Sequence, residues 1–118
     1  IALLSADARM PTRGSSGAGA IDLYMPADGH LEHGLEEGTY VGLGFAAAVP
    51  IGHVALLLPR SGMGANRGLS LNNTVGVIDS DYRGEWVACL RGRNARTVRW
   101  KKGDRLLQAL IVAIGAQR

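Results

Sequence analysis

The sequence predicts an all-β chain, and three observations carry that prediction. Glycine supplies 17 of 118 residues, about twice the ordinary share of roughly 7%, with no collagen period. The apolar segments are short and are bounded by glycine, proline, asparagine and aspartate, the residues that close strands. No segment sustains apolar residues at i, i+3, i+4 and i+7, so no long amphipathic helix is expected.

The expected strands run in order Ile1–Ser5, Ala20–Met25, Thr39–Val49, His53–Leu58, Leu69–Leu71, Thr74–Ile78, Glu85–Leu90, Thr97–Trp100 and Leu106–Ile114. Ala2-Leu3-Leu4 and Leu56-Leu57-Leu58 are unbroken apolar runs, which predicts strands covered on both faces. Thr74–Ile78 and Glu85–Leu90 flank a polar turn and read as a hairpin whose tip carries two carboxylates and a tyrosine. Gly103-Asp104 turns the chain into the last strand, with Gln108 polar in its middle. One or two helical turns are expected around Met63–Arg67 and no longer helix. Many short strands at this spacing fit a sandwich, a jelly roll or a barrel. The length fits a single domain over residues 1–118, with no linker, repeat or low-complexity tract.

Composition narrows the function classes. With 47% apolar and 19% charged residues, the chain is too apolar for extended disorder. A membrane-spanning helix needs roughly 18 unbroken apolar residues; Val41–Pro59 is cut by Pro50 and His53, and Leu106–Ala116 is too short and holds Gln108. Cys89 is the single cysteine, so no internal disulfide can form. Flanked by Trp86, Val87, Ala88 and Leu90, it is expected to be a buried strand thiol in a reducing compartment. No basic region followed by a long apolar stretch opens the chain, so no secretory leader is expected. The net charge of +3 concentrates in Arg91, Arg93, Arg96, Arg99, Lys101, Lys102 and Arg105. Without a helix-turn-helix, zinc spacing or aromatic platform, that stretch is expected to be a solvated loop and strand edge rather than a nucleic-acid site. His30 and His33 sit in an Asp-Gly turn region beside Glu32, Glu36 and Glu37; the spacing is not that of a zinc site, and no metal is expected there. His53, just before a strand, is expected to be structural.

Three segments could carry chemistry. Pro59-Arg60-Ser61-Gly62-Met63-Gly64 follows a strand and offers open backbone N–H groups, a planar cation and a hydroxyl, which suits a phosphate. It lacks the long following helix of a dinucleotide site and the Gly-Lys-Ser/Thr of a Walker loop. The hairpin tip holds Asp79, Asp81 and Gly84 at calcium-loop positions, but Arg83 and Leu90 stand where that loop needs ligands. A carboxylate there, ionised at neutral pH, could take a proton from water, or could serve only as a turn residue. Gln108 either faces solvent or reaches a ligand.

Together these segments resemble the trimeric dUTPase family. Its second motif is matched by Pro59-Arg60-Ser61-Gly62-Met63 and its third, without a gap, by Gly76-Val77-Ile78-Asp79-Ser80-Asp81-Tyr82-Arg83-Gly84. Its fourth is matched by Gly103-Asp104-Arg105-Leu106-Leu107-Gln108 and its first by Gly19-Ala20-Ile21-Asp22-Leu23-Tyr24. Ala20 stands where the family often has glycine. The fifth motif, a glycine-rich arm that closes over the substrate, has no counterpart before the sequence ends at Ala116-Gln117-Arg118.

The resemblance implies a jelly-roll-like distorted β-barrel that assembles as a homotrimer with active sites between subunits. It implies hydrolysis of dUTP to dUMP and pyrophosphate in the cytoplasm, which limits uracil in DNA and supplies dUMP for thymidylate synthesis. Asp79 would orient the attacking water and act as general base. Arg60, Ser61, Gly62 and Gln108 would hold the phosphate chain, with Arg105 in support. Mg²⁺ would be bound mainly by the phosphates, with Asp22 either reaching it through water or orienting Arg60. Asn73 and backbone groups near Gly76, Ile78 and Val87 would read the uracil edge. Tyr82 would pack on the deoxyribose and exclude a 2′-hydroxyl. Neither a membrane nor direct nucleic-acid binding is implied. The alternatives are a nucleotide-binding regulatory module with little turnover and, from the same fold, a dCTP deaminase.

Overall fold

The computed structural model describes residues 1–32 and 37–115. Twelve short strands are β1 (Ala2–Leu3), β2 (Thr12–Arg13), β3 (Ile21–Leu23), β4 (Gly29–Leu31), β5 (Thr39–Gly42), β6 (Phe45–Ala46), β7 (His53–Pro59), β8 (Leu69–Leu71), β9 (Gly76–Ile78), β10 (Val87–Gly92), β11 (Val98–Trp100) and β12 (Leu107–Ala113). A single π-helical turn, Gly62–Asn66, falls where a short helix was expected. Among the described residues the strands form four sheets rather than one closed barrel: β1-β6, β5-β10-β8, β11-β4 and β2-β3-β12-β7-β9. Every pairing is antiparallel.

The five-stranded sheet is organised by β7. On one side all seven of its residues pair with β12, from His53 opposite Ala113 to Pro59 opposite Leu107. On the other side Ala55, Leu56 and Leu57 pair with Ile78, Val77 and Gly76 of β9. Alternation along a strand sends Ala55 and Leu57, with Leu107, Ala109 and Leu23, into the core. There they meet Leu69, Leu71, Ala88 and Leu90 of the three-stranded sheet. Trp86 packs at a tilt against Phe45 with ring centroids 5.0 Å apart, and its indole N–H donates to the Ala47 carbonyl at 3.3 Å.

The opposite face of the same sheet is apolar too. Leu56 lies between Leu110 and Val77, and Val54 lies beside Val112. All but Val77 are half-buried, and Val77 is 57% exposed. Both faces of Leu56-Leu57-Leu58 were expected to be covered, but in one chain only the Leu57 face is. Ala2-Leu3-Leu4 departs further, with Leu3 and Leu4 both exposed, because β1 is a two-residue strand paired with β6 alone.

Other departures have local causes. The Thr39–Val49 segment is two strands, because Gly44 adopts φ +81° and breaks the ladder. His30 is in β4 and not in a turn. Gly29 precedes it because the Trp100 ring lies where a Cβ would stand, and the indole N–H donates to the Ala27 carbonyl at 3.0 Å. His30 pairs with Glu32 at 2.9 Å, whereas His33 and Glu36, its other suggested neighbours, lie outside the described residues. Cys89 is on β10 as expected but only half-buried, since it faces away from its core neighbours Ala88 and Leu90. Its thiol lies 3.5 Å from the Glu37 carbonyl.

Leu57 is 1% exposed and is the core anchor of β7. Leu57→Ala should cost about 2–5 kcal/mol, read as a lower urea midpoint with an unchanged slope.

Candidate active site

The polar residues singled out in the sequence gather at the two ends of β7. At its C-terminal end, Leu58 stands beside Gln108 of β12, which stands beside Asp22 of β3. Asp22 is the buried charged residue of the described chain, 9% exposed. Burying a carboxylate is costly unless it is paired, and both of its oxygens are. Oδ1 lies 3.4 Å from Arg60 Nε, and Oδ2 accepts from Arg105 Nη1 at 3.2 Å. Arg60 also donates to the Arg105 carbonyl at 3.1 Å. Its own backbone N–H donates to the Leu106 carbonyl at 2.9 Å. The first, second and fourth sequence motifs therefore converge on one carboxylate. The Asp22 geometry fits orientation of the arginines. Gln108 does not point freely to solvent: it is half-buried and donates from Nε2 to the Pro59 carbonyl at 3.2 Å.

Ser61 and Gly62 follow Arg60 and are exposed. The loop closes on itself where the Gly64 N–H donates to the Arg60 carbonyl at 2.8 Å. A cleft beside it, about 390 Å³, is lined by Arg60, Met63, Arg67 and Arg105 among others. Arg67 is a cation of this cleft that the sequence motifs did not single out.

Asp79 lies at the other end of β7. It follows the Ala55–Ile78 pair and lines a second cleft, about 500 Å³, with His53, Val54, Ser80 and Asp81. From the level of Asp79 to Arg60 the strand rises roughly 20 Å at about 3.3 Å per residue. One chain therefore does not bring Asp79 to Ser61.

The chain commits its other aspartates and leaves this pair open. Asp7 pairs with Lys102, Asp28 accepts from the Lys102 backbone N–H, Asp104 accepts from that of Lys101, and Asp22 holds two arginines. Asp79 and Asp81 have no side-chain hydrogen bond or ion pair among the described residues.

The loop after Asp79 is self-supporting. The Tyr82 N–H donates to the Asp79 carbonyl at 3.1 Å, Arg83 donates to the Ser80 carbonyl at 2.6 Å, and the Tyr82 hydroxyl donates to the Glu85 carbonyl at 2.6 Å. Gly84 makes room for that ring, since a Cβ at 84 would stand 2.8 Å from the Tyr82 hydroxyl oxygen. Glu85, absent from the sequence-derived set, ties the loop down by accepting from the Gly44 N–H at 3.0 Å.

Asn73 is exposed at the tip between β8 and β9. Its carbonyl accepts from the Val75 N–H at 2.8 Å, closing a γ-turn over Thr74 at φ +71°. That backbone is rare and strained for a threonine. Gly76 and Ile78 sit on β9 against Leu57 and Ala55, whereas Val87 starts β10 against Gly42. The uracil-reading set assigned from sequence is thus split between two sheets joined by the 79–86 loop.

The basic stretch has mainly structural partners. Arg93 and Arg96 donate to the carbonyls of Gly64 and Asn66, and Lys102 is paired with Asp7.

A family model described as dUTPase matches residues 6–117. The deoxyuridine 5′-triphosphate nucleotidohydrolase of Nocardia farcinica is 43% identical over 103 residues, covering 86% of this chain and 61% of that protein. The protein of the same name from Mycolicibacterium gilvum is 40% identical over 109 residues, covering 92% and 70%. The chain thus spans about 61% and 70% of the lengths of these relatives. Among solved structures, a mutant dUTPase from phage phi11 of S. aureus, described for its coordination of a structural Mg(II) ion, aligns with TM-score 0.85 at 25% identity. It covers 98% of this chain and 90% of that one. A mutant dUTPase of Staphylococcus bacteriophage 80alpha, with dUpNHpp, aligns with TM-score 0.85 at 25% identity over 98% and 82%.

Asp22→Ala should free both arginines. The pair is partly solvated, with Arg60 and Arg105 side chains 37% and 43% exposed, so the loss should fall below that of a fully buried pair, about 1–3 kcal/mol. Chemical denaturation reads the loss, and a shifted Arg60 Nε–H resonance reads the freed side chain.

Proposed function

The chain belongs to the dUTPase family, and we propose that it hydrolyses dUTP to dUMP and pyrophosphate. The observation that carries this reading is the division of labour among its aspartates. Asp79 is left exposed and, among the described residues, unpaired beside a fixed tyrosine, while Asp22 is spent on arranging two arginines.

In this reading water attacks the α-phosphorus in line. A bond forms between the water oxygen and phosphorus, the bond to the bridging oxygen of the β-phosphate breaks, and pyrophosphate departs with that electron pair. Asp79 orients the water and accepts its proton. Arg60 and Gln108, with Ser61 and Gly62 in the exposed loop, hold the phosphates, and Arg105 supports Arg60 through Asp22. Asn73 and the backbone near Gly76, Ile78 and Val87 read the uracil edge, and the Tyr82 ring covers the sugar where a 2′-hydroxyl would stand.

The residues fit a magnesium ion carried by the substrate. Among the described residues no three His, Cys, Asp or Glu side chains converge on a metal position, and magnesium favours substrate phosphates over an all-protein cage. Asp22, with both oxygens held by arginines, would meet such an ion only through water. When bound, the ion would neutralise phosphate charge and fix the conformation of the triphosphate.

The reading requires assembly. Reaction needs the base and the phosphate group within a few ångströms, and one chain holds them roughly 20 Å apart. A homotrimer that joins Asp79 of one copy to Ser61 of another supplies the missing contact. The apolar outer face of the five-stranded sheet gives the copies a surface to bury. No helix of the described residues is long and apolar enough to cross a membrane, and this reading takes the enzyme to be cytoplasmic.

The purified protein with Mg²⁺ should release pyrophosphate from dUTP and not from dTTP, dCTP or UTP. Asp79→Asn should keep affinity for dUpNHpp while turnover falls at least about 100-fold. Equal release from all four nucleotides, or an active Asp79→Asn, would overturn the assignment.

Assembly has its own test. Asp79→Asn and Ser61→Ala chains should each be inactive. Unfolded together and refolded, they should recover a fraction of wild-type turnover, because some mixed sites hold both intact residues. A mixture no more active than its parents would remove the shared site.

A further inference from the structure

The basic stretch after β10 has a role that its charge alone does not suggest. We propose that Arg93 and Arg96 are positioning residues that set the Arg60–Gly64 loop for phosphate binding; this rests on the dUTP reading above. The π-helical turn Gly62–Asn66, which overlaps that loop, leaves carbonyls without helical donors, and two guanidinium groups from one neighbouring loop take them. Arg93, half-buried, donates to the Gly64 carbonyl. Arg96 Nη1 donates to the Asn66 carbonyl at 3.0 Å. The Arg93 backbone N–H adds a third tie, to the Gly68 carbonyl at 2.7 Å.

The two side chains act as a pair because of the backbone between them. Asn94 takes a left-handed conformation, φ 55° and ψ 43°, and the Arg96 N–H donates back to the Arg93 carbonyl at 3.1 Å. This tight turn sends both guanidinium groups to the same side. Gly68 lets Arg96 pass, since a Cβ there would stand 2.7 Å from Arg96 Cδ.

The clamp reaches the phosphate loop through Gly64. Its carbonyl is held by Arg93 from outside, and its N–H closes the loop onto the Arg60 carbonyl. Ser61 and Gly62 lie inside that closed loop and are exposed. Their donors are thus fixed from behind and open in front. Arginine suits the task because its charge is permanent and its planar fork aims several N–H groups without further ordering. Both guanidinium groups are turned to backbone carbonyls of the loop, and among the described residues Asn73 and Tyr82 at the nucleoside end share no partner with them.

Hydrogen exchange in the nucleotide-free protein tests the clamp itself. In Arg93→Ala/Arg96→Ala, amides of residues 60–66 should lose protection while those of 76–82 keep theirs. Calorimetry with dUpNHpp and with dUMP then tests what the clamp is for. The double variant should bind dUpNHpp about tenfold more weakly, the value of roughly one charge-assisted hydrogen bond. Its dUMP affinity should stay within about twofold of wild type. Arg96→Lys, which keeps the charge and loses the fork, should fall between, and Arg93→Lys serves if the double variant does not fold. Unchanged exchange at 60–66 would overturn the clamp. Equal weakening of both ligands would reduce the arginines to general supports and overturn their proposed role. Wild-type protein that binds neither nucleotide would overturn the dUTP reading itself, and the exchange result would still stand as a measure of the clamp.

Discussion

The pairing of β7 on both edges is the constraint from which the arrangement follows. It is the seven-residue strand that joins β12 to β9, so it cannot slip without turning its core face outward. Leu57, Ala55, Leu107 and Ala109 fix that register by burial. Once it is fixed, Arg60 must emerge at one end and Asp79 must leave β9 near the other. The separation of the two halves of the chemistry is thus a product of core packing. Under the proposed homotrimer the apolar outer face has a use: Leu56, Leu110, Val54 and Val112 would give the copies a surface to bury.

Charge is distributed with the same economy. At the phosphate end Asp22 faces two arginines, so a net positive charge remains for an anion while the carboxylate keeps the guanidinium groups from splaying. At the other end Asp79 makes no ion pair among the described residues, and the nearby Arg83 donates to the Ser80 and Tyr82 carbonyls. The rise along β7 leaves the two arginines held by Asp22 roughly 20 Å from Asp79 of the same chain.

Much of this was legible in the sequence because the informative residues are local. Each expected strand has a counterpart, and the turn at Gly62–Asn66 fell where glycine and the lack of a long apolar period placed it. Gly76–Gly84 reads as one unit in sequence because it folds as one unit, its hydrogen bonds closing within a few residues. What was not legible is long-range. Nothing in Arg93 and Arg96 announces carbonyl partners some thirty residues earlier, so they look like solvated charge. Glu85 likewise looks like an ordinary turn residue until the Gly44 N–H is found beside it. The strands β2 and β4 were missed because, unlike the equally short β8 and β9, they carry no apolar run to mark them, and Gly29 signals a turn while serving as the seat of an indole ring.

In the proposed reading, discrimination among pyrimidines falls to the tip between β8 and β9 and to the loop beyond Asp79. A single methyl group in a yielding apolar pocket is worth only about 1–3 kcal/mol, too little to refuse thymine by attraction alone. Rejection must come from backbone that cannot move aside. Thr74 is held at φ +71° between the Leu71–Thr74 and Asn73–Val75 hydrogen bonds, and strain of this kind persists only where the surroundings over-determine it. Tyr82 is fixed at both ends, its N–H on Asp79 and its hydroxyl on Glu85. The tip that would read the base and the ring that would cover the sugar are thus held by bonds internal to their own loops, anchored to the sheets through Glu85 and Gly76. Rigidity on this side is set within one chain, while the phosphate loop takes its rigidity from the arginine clamp. In the proposed reading the two ends of the nucleotide would be held by separate networks, so sequence change could tune base selection without loosening the grip on the phosphates.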